Sequence, residues 1–233
     1  MLLVAFVFFT IKATAQTKTK SPVKRYLFHS HGICFQKFNN LNSRIKAFPQ
    51  YEQLKNTTGT LQFGIFTEYD KITVGYSGNF GSSLGGDKNK KSSKLGFAGG
   101  SIDVGYNIAR TNRFTLSPYI GLGYEQFKAS FNKDISTIAF DSVLASNNIR
   151  QTTEQLIFKN AFVVYRFGFG TFVSSARNPQ NSIGLQIGYS GSFGEKDWKI
   201  NSTQTLLNSP KDKLSKIAAS ILIRYELKKR NKV

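Results

Sequence analysis

Several residue types are nearly absent from this chain of 233 residues, which contains one cysteine, one methionine, one tryptophan and two histidines. A single cysteine, Cys34, excludes an intramolecular disulfide. No partner for a reactive thiol is evident near it, so it is interpreted as a small apolar strand residue. The only histidines are His29 and His31, so the segments predicted below as loops contain none. A Ser–His catalytic pair in those loops is therefore excluded.

Motifs of common enzyme classes are also missing. The sequence has no Gly-rich dinucleotide motif, no phosphate-binding loop and no nucleophile elbow. His29 and His31 share one face of a predicted strand, but no third residue with metal-site spacing accompanies them. The sequence therefore predicts no enzyme, no catalytic residue, no metal site and no cofactor.

Long hydrophobic runs are lacking as well. The longest, residues 2–11, is too short to cross a bilayer as a helix and is followed by the small-x-small segment 13–15. This arrangement is typical of a secretory signal peptide, which is predicted over residues 1–15. A polar lead-in, expected to lie in the periplasm, follows at 16–25.

Acidic residues are few, since 13 Asp and Glu stand against 32 Lys and Arg and give a net charge of +19. Such a balance is one mark of nucleic-acid binding. An exported chain rarely meets nucleic acid, however, and none is predicted as a partner. Anionic lipid headgroups and lipopolysaccharide are the favoured partners, while solvated basic loops are the simplest explanation of the same charge.

Glycine and aromatic residues are abundant, with 20 Gly, 21 Phe and 10 Tyr. This composition favours β structure over helix. The hairpin predicted over residues 60–80 shows the pattern well, because its second arm alternates Ile72, Val74 and Tyr76 with small or polar residues. An aromatic face opposite a face of Gly, Ser and Asn is typical of a tightly curled sheet with an apolar outside and a crowded polar interior.

The same alternation predicts eight strands. They are the first strand 26–36, the two arms of the hairpin 60–80, and the segments 94–109, 114–131, 158–173, 182–194 and 213–227. Aromatic residues recur on the proposed outer face, where tyrosines at strand ends would form interfacial girdles. They are Tyr76, Phe80, Tyr106, Tyr124, Tyr165, Tyr189, Phe193 and Tyr225.

In the fourth predicted strand the alternation shifts by one residue. Leu95 and Phe97 share one face, whereas Ile102 and Val104 follow the opposite phase. A Gly-Gly pair at 99–100 lies at the shift, so we expect a β-bulge there.

The connections between predicted strands alternate between long and short. All four long loops (38–58, 82–93, 132–157 and 195–212) fall at one end, and three tight turns fall at the other. This sorting is the signature of an outer-membrane barrel with short periplasmic turns. The predicted fold is an all-β, eight-stranded antiparallel up-and-down transmembrane barrel over residues 26–227, followed by a basic C-terminal tail at 228–233.

With its Ala-Gln cleavage site at 15–16, its Gly/aromatic strands and its basic, Asn-rich composition, the chain resembles the small outer-membrane β-barrel proteins of Bacteroidota. These are the PorT-like and the OmpA- and OmpX-like eight-stranded barrels. The resemblance implies the cell outer membrane as location, and as partners the barrel insertion machinery and a secretion or envelope complex. Such barrels commonly end on an aromatic residue, whereas here a basic tail follows, so an insertion signal inside residues 220–227 is expected.

Charged residues on the small-residue faces are the first functional candidates. If the apolar faces meet lipid, six of them point into the lumen: Glu68, Asp103, Glu125, Arg166, Arg224 and Glu226. Two arginines among four carboxylates are expected to pair, since an unpaired charge there would cost on the order of several kcal/mol. An eight-stranded barrel has room only for side chains. A structural plug is therefore favoured over a proton or ion pathway.

A second candidate is the lysine cluster of the second long loop: Lys88, Lys90, Lys91 and Lys94. These residues are expected to lie among anionic lipid headgroups and to bind them. The chain is thus interpreted as a non-enzymatic outer-membrane barrel with a structural or interaction role, presenting four loops to lipopolysaccharide, ligands or a secretion complex. One alternative is a soluble periplasmic, lipocalin-like barrel that binds a small apolar ligand, with the aromatic faces inside. Another is a narrow pore, which the expected lumen plug disfavours.

Overall fold

The alternation of apolar and small residues produces eight long strands in the computed structural model, which describes residues 23–87, 90–111, 113–134, 138–145, 155–174, 180–200 and 206–227. The predicted signal peptide, most of the lead-in, Lys88 and the basic tail lie outside these residues. The strands are β1 Lys24–Gln36, β2 Thr57–Tyr69, β3 Ile72–Gly86, β4 Ser92–Tyr106, β5 Phe114–Asn132, β6 Leu156–Ser174, β7 Asn181–Ser192 and β8 Ser215–Glu226.

These strands close into a barrel. Each pairs antiparallel with its neighbours in the chain, and β1 pairs with β8 to complete the circuit. Following the paired residues once around the sheet from Glu125 leads back to Thr115, a stagger of ten residues on the same strand. Eight strands with this stagger form a tilted barrel whose interior side chains can fill.

The predicted strands and the sorting of their connections are confirmed. The connections 70–71, 107–113 and 175–180 join strands at one end, the turn end, and the connections 37–56, 87–91, 133–155 and 193–214 join them at the other, the loop end. A two-residue strand, Ala109–Arg110, extends the sheet at the turn end. At the loop end, Lys196–Asp197 pairs with Lys211–Asp212.

The predicted second loop is too long. The prediction placed a loop over 82–93, but β3 continues to Gly86 and β4 begins at Ser92, with these two residues paired. Polar residues remain in the ladder because it satisfies their backbone groups. Ser93 also donates to the Gln53 carbonyl at 2.6 Å, so the extended hairpin is attached to the first loop. Gly86 has a φ of +74° at the turn, a conformation that favours glycine.

The predicted β-bulge at 99–100 is wrong. The register of β4 with β3 and with β5 runs through both glycines without an inserted residue. Leu95 and Phe97 are buried inside the barrel, whereas Ile102 and Val104 are exposed outside. The strand is regular throughout. Its apolar residues lie on the inner face near the loop end and on the outer face nearer the turn end, because the surroundings of the outer face differ between the two ends.

With the loop end taken as the top of the barrel, the lower part of its outer surface is apolar. Ile120 is 69 % exposed and Ile187 is 60 % exposed, values that no packed core would give. The aromatic girdle residues face outward too: Tyr76, Phe80, Tyr106, Tyr124, Phe193 and Tyr225 are exposed, and Tyr165 and Tyr189 are half-buried. An apolar belt around a closed barrel is the surface that meets lipid. The lipocalin-like alternative, which needs these residues inside, does not fit it.

Above the belt, toward the loop end, the two faces exchange character. On β5, Tyr124 is exposed and Glu125 is buried, but further along Lys128 is exposed and Phe127 is buried. Phe127 is paired with Phe97 of β4, so both strands change at the same height. Apolar residues face lipid below this height and avoid water above it, which places the upper edge of the membrane-facing surface near Tyr124.

Two short helices lie in the loops, α1 Asn39–Lys46 and α2 Phe140–Ala145. Neither helix among the described residues is long and apolar enough to cross a membrane. The sequence predicted only a loop with helical character at 38–58. The amphipathic α1 buries Leu41 and Ile45 in the barrel mouth.

Candidate functional site: the lumen and its closed mouth

The lumen begins with one of the ion pairs that the sequence led us to expect. Arg166 lies with a guanidinium nitrogen 3.4 Å from a carboxylate oxygen of Asp103. Ser101 connects them, since it accepts a hydrogen bond from Arg166 and donates one of 3.3 Å to Asp103. Ser77, 2.9 Å from Ser101, links this group to Gln62 on β2. Polar side chains from β2, β3, β4 and β6 thus form one network across the lumen.

A second pair lies higher in the barrel and involves a residue that the sequence analysis missed. Lys216 of β8 lies 2.5 Å and 2.6 Å from the two carboxylate oxygens of Glu125. Asn79 donates to the same carboxylate at 3.1 Å, and the lysine ammonium lies 4.4 Å from the centre of the Phe97 ring. Lys216 shares its phase with the inward residues Ser220 and Arg224, so extending the alternation back along β8 would have revealed it.

The other predicted lumen residues lie toward the turn end. Arg224 is buried between two rings, 4.5 Å from the centre of Tyr26 and 4.0 Å from that of Phe172. Glu226 lies 3.9 Å from Lys24 at the turn end of the barrel. Glu68 is buried at the same end, in register with Lys24. All six predicted residues therefore point inward, but they are spread along the lumen and do not converge on one centre.

The free space in this part of the lumen is small. One cavity of about 50 Å³ lies against Glu125, Arg166 and Lys216, and another of about 40 Å³ lies against Asp103 and Arg224. Tyr119 and Gln186 line both cavities and so form the boundary between them. Each space has room for only a few water molecules.

The loop end is closed by an apolar core that the sequence analysis did not anticipate. Inward residues of β4, β5 and β6 meet the apolar face of α1, with Phe38 packed edge-on against Phe127 and Trp198 at centroid distances of 5.1 Å. The buried members are Cys34, Phe38, Leu41, Ile45, Leu54, Leu95, Phe97, Phe127, Ala129, Phe131, Phe162, Val164, Trp198 and Leu214. Cys34, interpreted from the sequence as a small apolar strand residue, lies on β1 and belongs to this core. The phase shift in β4 was the signal of this core.

One buried carboxylate attaches the helix to the strands. Asp212 accepts hydrogen bonds from the backbone amides of Asn40 and Leu41, at 3.0 Å and 3.1 Å, and from the indole of Trp198 at 2.8 Å. Phe38, at the N-cap position of α1, provides no side-chain cap. A distant Asp therefore satisfies the free amides at the helix N-terminus, where a negative charge is stabilised.

Two outer-membrane proteins are among the solved structures that share this architecture. A major outer membrane protein from Thermus thermophilus is 12 % identical with a TM-score of 0.54, and the match covers 89 % of this chain and 100 % of that one. The attachment invasion locus protein Ail of Yersinia pestis, solved with the heparin analogue sucrose octasulfate, is 10 % identical with a TM-score of 0.52 and the same coverage. The protein is an eight-stranded barrel of the outer membrane. No family model and no curated protein matches the sequence.

In this outer-membrane barrel the predicted lysine cluster lies at the loop end. Lys90 and Lys94 are exposed, and Lys94 lies on the outer face of β4. Lys91 instead contacts the first loop, where it donates to the Pro49 carbonyl at 3.2 Å and lies 3.9 Å from Glu52. Lys88 lies outside the described residues.

The two histidines lie on the outer face of β1, with ring centroids 5.8 Å apart. His29 also stacks on Tyr225 at 6.0 Å. Within the described residues no group of three or more His, Cys, Asp or Glu side chains could hold a metal ion.

Proposed function

We propose that this protein is a closed, non-enzymatic platform in the outer membrane that displays its four loops at the cell surface. The observation that carries the proposal is the apolar core in the barrel mouth, where α1 is attached through Asp212. A barrel built for passage would leave its mouth open, whereas here the mouth is filled and the lumen below it is crossed by ion pairs. The lumen network then serves as a structural plug.

The partners that we propose are lipopolysaccharide or other anionic surface ligands and a secretion or envelope complex. The net charge of +19 supports an anionic ligand. Ail, a barrel of the same fold, was solved with a heparin analogue, which is a polyanion. The proposal includes a cleaved export signal, both termini in the periplasm, insertion by the barrel machinery and the PorT-like kinship with Bacteroidota barrels. It also includes headgroup binding by Lys88, Lys90, Lys91 and Lys94.

Two measurements test the platform. Protein extracted from purified, sarkosyl-insoluble outer membranes is expected to run as a compact unheated band that shifts after boiling. Vesicles containing the folded barrel are expected to exclude small sugars as well as empty vesicles do. Recovery in the soluble periplasm without a band shift would refute the membrane assignment, and sugar permeation through the folded barrel would refute the closed platform. Headgroup binding by the lysine cluster would be abandoned if reversing its four charges left lipopolysaccharide association unchanged.

A further inference from the structure

A groove lies on the outer face of the barrel where β4, β5 and β6 rise above the apolar belt. Its volume is about 890 Å³. The floor is formed by Gln126 of β5 with the small residues Gly96 and Ala98 on one side and Ala161 on the other, and Tyr124 and Val163 form its lower edge. Because these lower residues belong to the lipid-facing surface, the groove opens at the height of the outer-leaflet headgroups.

Lysines surround this groove. Lys128 of β5 is directly opposite Lys159 of β6 in register. Lys159 is in turn directly opposite Lys199, and the two exchange backbone hydrogen bonds of 2.7 Å and 2.9 Å. Residues directly opposite in an antiparallel pair share one face and lie close together. Three ammonium groups therefore rise side by side from adjacent chain segments, and Lys196 adds a fourth at the rim.

In the part of the chain that the structure describes, these lysines have no carboxylate partner, since no ion pair there involves Lys128, Lys159, Lys196 or Lys199. Asp197 is the one carboxylate among the groove-lining residues. Like charges directly opposite on a sheet destabilise it. Three adjacent lysines without carboxylate partners, above an open groove, provide the positive charge and the space that an anion requires.

We propose that the lysine groove, formed by Lys128, Lys159 and Lys199 over the groove floor, binds the phosphorylated headgroup of an outer-leaflet glycolipid. The phosphate contacts the lysines, and the acyl chains continue downward over Tyr124 and Val163 onto the apolar belt. This inference rests on the proposed placement in the membrane. It adds a defined site formed by other lysines than the cluster around Lys90 and Lys94. The groove lies on the side of the barrel, below Lys94 on the same outer face of β4.

The test uses the only tryptophan, Trp198, whose neighbour Lys199 is part of the site. The full chain is folded into phosphatidylcholine vesicles doped with dansyl-labelled diphosphorylated lipid A, and energy transfer from Trp198 to the dansyl group reports binding. The same lipid without phosphates measures the contribution of the acyl chains. Inorganic phosphate is added as competitor, to separate a headgroup site from a site for the free anion.

The test variant is K128Q/K159Q/K199Q, and the matched control is K37Q/K46Q/K55Q, which removes three exposed lysines from the loop end around β1. At about five-fold in affinity for each lysine near an anionic headgroup, the test variant should bind on the order of a hundred-fold more weakly. The control and the wild type should bind alike, and the dephosphorylated lipid should bind poorly to all three proteins.

Equal binding by the test variant and the wild type would overturn the lysine groove, as would equal binding of the dephosphorylated lipid. Displacement of the lipid by a low concentration of inorganic phosphate would also overturn the lysine groove, and it would indicate a site for the free anion. The band shift on boiling is recorded for each protein. Its absence in the wild type would refute the membrane barrel itself, whereas a normal shift with no lipid preference would refute only the groove.

Discussion

Lys216 and Glu125 form a buried ion pair across the barrel, 91 positions apart in the chain, with side chains 5 % and 2 % exposed. Directly below the pair lies the polar network of Ser101 and Arg166, and above the pair the apolar core begins with Phe97 and Phe127. Both charges are thus at the boundary between two environments. The Asn79 amide and the Phe97 ring provide the further contacts that two buried charges need.

Removing one member of this pair should destabilise the barrel strongly. K216M leaves the Glu125 carboxylate buried without its counter-charge, which costs about 3–5 kcal/mol, whereas K216M/E125L removes both charges and should recover most of the loss. The measurement is the urea concentration at which half of the protein loses its compact unheated band. K24M, whose partner Glu226 is partly exposed, should cost less than about 1 kcal/mol. A midpoint of K216M equal to that of K24M would contradict the assignment.

Asp212 should control the closure of the mouth. D212A leaves two helix amides and the Trp198 indole without their acceptor, and we expect α1 to loosen at a cost of about 2 kcal/mol. Water would then reach Trp198, so its emission should shift to longer wavelength and acrylamide should quench it more strongly. The band shift should persist because the strand ladders remain intact.

A matched control for this experiment is D141N, which alters an exposed aspartate in α2. Its fluorescence should equal that of the wild type. Unchanged emission and quenching in D212A would show that α1 is held by its apolar contacts alone, and the role given to the carboxylate would have to be withdrawn.

His29 and His31 face outward on β1 between the apolar residues Leu27 and Ile33. A polar side chain on a lipid-facing surface is unfavourable, so H29L/H31L should stabilise the barrel by about 1 kcal/mol. The urea midpoint of the unheated band measures this gain, and H29N/H31N, which keeps polar side chains, should show none. A lower midpoint in the leucine variant would indicate that contacts of the imidazole rings, such as that of His29 with Tyr225, outweigh their exposure.

The strands could be predicted from the sequence because a barrel in lipid imposes a two-residue period on every strand. That period identified the inward position of Glu125 and the outward position of Tyr124 from their neighbours alone. It misled at Gly99 and Gly100, where the apolar residues change face and a bulge was the obvious explanation. A regular strand that leaves lipid and enters water produces the same pattern, and the parallel change from Tyr124 to Phe127 on β5 distinguishes the two.

Long-range contacts could not be predicted. Asp212 caps a helix 171 positions away, and no local pattern around Asn40 or Asp212 indicates this pairing. Lys216 was missed for a different reason. It lies near the beginning of β8, before the run of alternating residues from which the inner face was assigned. The lysine groove depends on the register of β5 with β6, since Lys128 and Lys159 are ordinary exposed residues until they are placed opposite each other.

Glycine should be required at position 188, because the Tyr119 side chain lies against this residue in the lumen. A Cβ atom added at Gly188 would overlap the Tyr119 hydroxyl oxygen, whereas the ring carbon that carries this hydroxyl would be 3.2 Å away. G188A should therefore destabilise the barrel by about 1–3 kcal/mol through overpacking, and Y119F should relieve most of that cost by removing the hydroxyl. G59A, where the nearest atom would be 3.8 Å away, is the matched control. The urea midpoints of the two single variants and the double variant form a mutant cycle. Additive effects of G188A and Y119F would mean that Tyr119 moves aside and that the two small lumen cavities are not separated by a fixed side chain.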